Sequence, residues 1–280
     1  MHPLVAPEDL AARLAGLDPP VVLDVRWRLA GPPGVDSYAA GHIPGAVFAD
    51  VDADLAGAPG EGGRHPMPEP ERLQATLRAA GVRGSRPVVA YDDADGSVAA
   101  RAWWLLRWAG HPECGVLDGG FAAWEAAGLS VVVEVPRPEP GDFVVRGGRM
   151  PVVDADGAAE LARRGVLLDA RAHPRYTGEE EPIDPRPGHI PGAVNAPFSG
   201  HIGADGRWCS PEELAARFGR LGATAEKPVG AYCGSGVTAA SVILALEVAG
   251  RSEPAPLYAG SWSHWSRDPD RPAVTGDLPG

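Results

Sequence analysis

The chain has 280 residues, enough for two domains of ordinary size, and its 44% hydrophobic content suffices for full cores. Twenty-five Lys and Arg against 37 Asp and Glu give a formal charge of −12. That balance argues against nucleic acid as a partner, because binding a phosphate backbone needs a basic surface. No run approaches the roughly 18 consecutive apolar residues of a membrane helix, so no membrane partner is expected. The start, Met1-His2-Pro3-Leu4, lacks the basic-then-apolar pattern of a signal peptide. Three cysteines, Cys114, Cys209 and Cys233, form no C-x-x-C pair. Such a sparse, odd set fits a reducing, cytoplasmic setting.

Taken in chain order, Pro7-Glu8-Asp9-Leu10 carries helix-start signals, and Val21 to Val25 is a short apolar run typical of a buried strand. Gly41-His42-Ile43-Pro44-Gly45-Ala46-Val47 follows. Val88 to Tyr91 is a second strand candidate, and Ala99 to Ala109 is expected to be helical with apolar residues on most faces. Its Trp103, Trp104 and Trp108 suit a core or a domain interface. The stretch Glu134 to Gly141 holds too many prolines for helix or sheet and is expected to be a stiff extended linker.

Beyond it the chain repeats itself. Leu23-Asp24-Val25-Arg26 returns as Leu168-Asp169-Ala170-Arg171, and the Gly41 to Val47 motif returns unchanged at Gly188 to Val194. Pro87 to Tyr91 returns as Pro228 to Tyr232, and Gly119-Gly120-Phe121 more loosely as Gly260-Ser261-Trp262. Ser210 can cap a helix with Pro211 in its first turn. Strands alternating with helices in two copies predict an α/β protein of two tandem domains, each a mainly parallel sheet flanked by helices. The expected division is residues 1–135, a linker at 136–150, and residues 151–280.

The chemistry is expected where the strand ending at Tyr232 meets Cys233-Gly234-Ser235-Gly236-Val237-Thr238 and a helix begins. Glycines let the loop curl and turn its N–H groups inward. The helix N-terminus adds unpaired N–H groups and partial positive charge, which favours a thiolate. A small buried apolar role is the bland alternative for a cysteine at a strand end. The Gly-Ser-Gly run weighs against it here. Cys114 and Cys209 have no such loop.

This segment resembles the active loop of the tandem-domain rhodanese sulfurtransferases. Its C-G-S-G-V-T form is closest to that of the 3-mercaptopyruvate sulfurtransferases. The resemblance extends to both G-H-I-P-G-A motifs, to the tryptophan-rich helix and to the ending Gly260 to Trp265. It implies two tandem rhodanese-like domains with one active site, since aligning Tyr91 with Tyr232 sets Asp92 opposite Cys233. It implies that Cys233 takes sulfur from a small anionic donor, 3-mercaptopyruvate or thiosulfate, as a persulfide. A thiol or cyanide then accepts it, and no metal or organic cofactor is needed. The Gly234, Gly236, Val237 and Thr238 backbone would cradle the substrate. Arg175 and Arg186 match the family's ligands for the donor carboxylate. Ser235 would act in proton transfer with Asp52 and His65, the last two from the N-terminal half, with Asp50 or Asp54 as alternatives to Asp52. A histidine beside a glycine-rich stretch is otherwise commonly just exposed. His42 and His189, present in both copies, are assigned to loop architecture, and Arg171 to a structural pair with Asp169.

Two other function classes are weighed against this one. A cysteine phosphatase on the same architecture would need an Arg six residues after the nucleophile, and that place holds Ala239. A sulfur carrier loaded by a partner protein would differ in showing no turnover with a small donor alone.

Overall fold

The computed structural model describes residues 1–280, which group into two compact units. The first comprises Met1–Gly57, Met67–Arg149 and Gly203–Trp208; the second comprises Ala58–Pro66, Met150–Ile202 and Cys209–Gly280. Two short segments therefore group with the half of the chain to which they do not belong by sequence.

In the first unit five strands, β1 (Leu4–Val5), β2 (Val21–Asp24), β3 (Val47–Phe48), β4 (Val88–Tyr91) and β5 (Cys114–Leu117), make one parallel sheet in the order β1-β5-β4-β2-β3. The four-residue strands are buried along their whole length, as expected of a sheet covered on both faces. The helix Ala99–Trp108 buries Trp103 and Trp104 completely, so these tryptophans belong to the core of this unit. Residues 136–150 contain neither helix nor strand. They are not a free tether: Phe143 is buried, and the N–H groups of Gly141 and Arg146 donate to Arg78 and Ala109.

The second unit repeats this plan with β6 (Val166–Asp169), β7 (Val194–Asn195) and β8 (Val229–Tyr232), all parallel, in the order β7-β6-β8. Where the first unit has β5 and β1, the second has only single parallel bridges, Ala231 to Leu257 and Leu257 to Val152. Pro151, Pro254 and Pro256 explain the reduction, since proline has no N–H to extend a ladder. Ser210 caps the helix Pro211–Arg220 in a full capping box with Glu213. The helix Ala239–Val248 is buried on almost every face, which matches its uniformly apolar sequence.

The repeated motifs converge on one hydrogen-bonded knot in each unit. Asp24 pairs with Arg26, and the Tyr91 hydroxyl donates to Asp24 at 2.5 Å while accepting from the Ile43 N–H. In the second unit Asp169 pairs with Arg171 at 2.6 Å, and the Tyr232 hydroxyl accepts from Ile190. Burial pushes both tyrosines up, out of reach of ordinary titration. His42 and His189 hydrogen-bond to the carbonyls of Tyr38 and Tyr176 and stack on those rings at 4.0 and 3.7 Å. Both histidines thus hold loops in place. This knot fixes the C-terminal ends of β4 and β8, where ligands of parallel sheets are usually bound.

Candidate active site

Cys233 follows the last residue of β8 and is buried. Its Sγ accepts from the Gly236 N–H at 3.1 Å, which requires the loop to curl back on itself. Gly236 makes the curl with φ +84°, and a Cβ there would lie 2.4 Å from the Ala259 carbonyl, so only glycine fits. The N–H groups of Ser235, Val237, Thr238 and Ala239, at the mouth of the helix Ala239–Val248, are taken by no carbonyl or side chain of the protein. They are available to an anion seated beyond Sγ.

The loop is held from behind by the segment Gly260–Ser263. The Cys233 N–H donates to Ser261 Oγ at 3.1 Å, while the carbonyls of Cys233 and Gly234 accept from the N–H groups of Trp262 and Ser263. Ser261 has φ +53° and is the one non-glycine residue in the left-handed region. Its counterpart in the first unit is Gly120, with φ +57°. A serine accepts that strain, about 1–2 kcal/mol, where its hydroxyl orders the Cys233 backbone. Sequence patterns give no hint of it, because Gly-to-Ser reads as a neutral change in a loop.

His65 stands at the same loop. It is buried, and its Nδ1 lies 2.7 Å from Ser235 Oγ. The segment Ala58–Pro66 belongs to the second unit, so His65 comes from the N-terminal half of the sequence but not from the first unit. The glycine-rich run that suggested an exposed histidine is what lets the chain reach this place. Gly63, at φ +109°, has no room for a Cβ against Gly260 O at 2.7 Å. The Arg64 N–H donates to Ser263 Oγ, and Arg267 donates to the Gly60 carbonyl. Asp52 lies in the first unit, where its Oδ2 accepts from Trp27 Nε1 at 2.8 Å. Asp50 and Asp54 accept from backbone N–H groups of their own turn, which marks Asp52 as the carboxylate of the three that engages a side chain.

Arg175, on the short helix His173–Thr177, donates to Glu181 at 2.7 Å and Asp184 at 3.0 Å. Its Nη1 lies 3.3 Å from where a Cβ on Gly234 would be. The acidic loop at 179–181 is not simply a solvated face, since Glu181 is buried against Arg175 and Arg171. Arg186 departs from expectation. Nε, Nη1 and Nη2 donate to the carbonyls of Ser266, Arg271, Trp265 and Asp268, so its guanidinium closes the C-terminal end of the helix Ser261–Trp265. A residue absent from the sequence reading takes a place beside Arg175: Arg64 is ion-paired to Asp184, and its Nη2 lies 3.0 Å from the Cβ position of Gly234. The signal that could have found it is its position next to His65.

Comparison with known proteins agrees with this architecture. The rhodanese-like domain family matches residues 6–127 and 154–268. The chain is 49% identical to the "Probable 3-mercaptopyruvate sulfurtransferase" of Pseudomonas aeruginosa, covering 98% of both chains. It is 42% identical to SseB of Mycobacterium tuberculosis, a protein named for thiosulfate sulfurtransfer, over 98% of this chain and 97% of that one. Among solved structures, SseA, a 3-mercaptopyruvate sulfotransferase of Escherichia coli, superposes with a TM-score of 0.82 at 30% identity, covering 94% of this chain and all of the other. Nothing in the helices is long and apolar enough to cross a membrane. A tandem repeat matched in both halves and full-length relatives above 40% identity lead to one assignment: this chain belongs to the rhodanese family and is a sulfurtransferase that works through a cysteine nucleophile.

Proposed function

We propose that Cys233 is that nucleophile and that 3-mercaptopyruvate is the preferred donor. The observation that carries the reading is the 2.7 Å contact between His65 and Ser235 within the loop whose Gly236 N–H holds Cys233 Sγ. The thiolate of Cys233 attacks the donor's sulfur; an S–S bond forms as the C–S bond breaks. The electron pair released onto carbon gives a pyruvate enolate, which takes a proton from Ser235, replenished through His65. The persulfide forms as S–SH, its proton passes through His65 to replenish Ser235, and the resulting anion is stabilised by the N–H groups of Ser235, Gly236, Val237 and Thr238. A thiol or cyanide then attacks the outer sulfur, the S–S bond breaks, and the Cys233 thiolate returns. Arg175 binds the donor carboxylate.

The preference for 3-mercaptopyruvate over thiosulfate rests on the Ser235–His65 pair, a proton donor that only the C–S cleavage requires. Three free cysteines suit a reducing compartment, so the cytoplasm is the expected place of action.

Intact mass and steady-state turnover of wild type and Cys233→Ser, with each donor, test the reading. Wild type is expected to gain the mass of one sulfur and to turn over 3-mercaptopyruvate more efficiently than thiosulfate; the Ser variant is expected to do neither. Equal or better efficiency with thiosulfate would overturn the donor assignment. Loading only by a partner protein would replace turnover with a carrier role.

A further inference from the structure

The notable feature is how two arginines meet at Gly234. Asp184 joins them: it is ion-paired to Arg64 Nη1 and, through its other oxygen, to Arg175 Nη2 at 3.0 Å. Glu181 holds Arg175 as well, at 2.7 Å. With these groups engaged, Arg64 Nη2 and Arg175 Nη1 are left to point at the residue after Cys233. They lie 3.0 and 3.3 Å from the Cβ position that Gly234 leaves empty, and no acceptor of the protein takes either one. Two guanidinium groups would repel at this range unless carboxylates between them offset the charge. Asp184, whose side chain is 3% exposed, does so while itself being nearly dehydrated. Burial pushes its carboxyl up, opposed by the two arginines.

We propose that Arg64 is a donor-binding and specificity-determining residue: with Arg175 it forms a clamp for one carboxylate, assembled by Asp184 and opened by the missing side chain of Gly234. Each guanidinium offers its remaining amino edge to a different oxygen of the same carboxylate, an arrangement that suits a planar anion. Arg64 thereby takes the place expected of Arg186, whose donors are spent on helix-end carbonyls. The chain fragment that delivers the relay histidine also delivers a substrate cation, so residues 64 and 65 divide binding and proton transfer between neighbours. This inference rests on the reading of Cys233 as the site of an anionic donor.

The test combines steady-state kinetics with 3-mercaptopyruvate and calorimetric titration with pyruvate, on wild type, Arg64→Gln and Arg64→Lys. Loss of one charge-assisted pair should raise KM and the pyruvate Kd by roughly 10- to 100-fold while kcat stays within about threefold. Lys keeps the charge but not the planar fork, and should recover only part of the loss. Unchanged KM and Kd in a folded Gln variant would overturn the clamp. Should the Gln variant not fold, an unchanged KM in the Lys variant would overturn it equally. If wild type binds pyruvate through Arg64 yet shows no turnover, the reaction proposed above fails and the clamp stands. Turnover with pyruvate binding indifferent to Arg64 fails the clamp alone.

Discussion

Asp92 and Cys233 hold the same place in the two copies, each directly after a strand-ending tyrosine that is in register with the Asp of the L-D-x-R motif. They fill their loops differently. The two carboxylate oxygens of Asp92 accept from the N–H groups of Ala94, Gly96, Val98 and Ala99 at 2.9–3.0 Å. Cys233 Sγ accepts from one. The first loop therefore fills its own amides with a carboxyl, which burial pushes up while the Ala99, Gly96 and Ala94 N–H groups act against that shift. The amides that would receive a sulfur species are thus already taken in the first loop.

From this, Asp92→Ala should lower the stability of the first unit by about 2–4 kcal/mol, since it leaves several buried N–H groups unpaired. Denaturant unfolding should show the transition of that unit moving first, with Cys233 chemistry in the native baseline unchanged.

Ser235→Ala should cut kcat for 3-mercaptopyruvate by about 100-fold or more, with a smaller change in KM, because the enolate loses its proton source. Thiosulfate releases sulfite without needing that proton. Turnover with thiosulfate should therefore be nearly unchanged, and the ratio of the two donors measured on one preparation checks the point. His65→Gln should follow the same pattern.

Gly234→Ala is a sharper probe of the clamp than removal of an arginine. Gly234 does not have a left-handed backbone, so alanine is tolerated conformationally. Its methyl group would press on Arg64 Nη2 and Arg175 Nη1. The variant should fold normally, keep alkylation of Cys233 by a neutral reagent within about threefold, and raise KM for 3-mercaptopyruvate by about tenfold or more.

His201 supplies a pH dependence. Burial pushes its imidazole down to about 3, with Arg217 acting in the same direction. The unfolded chain takes up a proton near pH 6.5 that the native state refuses. The stability conferred by keeping this group neutral is thus present above about pH 6.5 and is lost at about 1.4 kcal/mol per unit as pH falls toward 3. Urea midpoints for His201→Phe should fall less steeply than wild type across that window; parallel slopes would contradict the assignment.

Much of the fold could be read from the sequence because the informative segments are local. Val88 to Tyr91 and Val229 to Tyr232 are fully buried runs of four, and each became a strand with those bounds. The loop around Cys233 was legible for the same reason, since its glycines, strand end and helix start are contiguous. Arg186 was not. Its spacing suited a ligand, but four carbonyls about 80 positions downstream claim it, and no periodicity records such a contact. Arg64 was hidden in the opposite way: a glycine-rich run has no repeat period, so nothing in it announces which unit it will join.

That run has a consequence for taking the protein apart. A fragment starting after the linker would contain Cys233, its loop and the helix behind it, yet would lack Arg64 and His65, which the chain contributes from Ala58–Pro66. The first unit in turn counts Gly203–Trp208 as its own, with the Trp208 N–H donating to Asp118 at 2.9 Å. Neither half is a self-sufficient module. The N-terminal copy, with Asp92 where the other has Cys233, still encodes the short stretch that equips the other, so deleting it would strip Arg64 and His65 from the Cys233 loop.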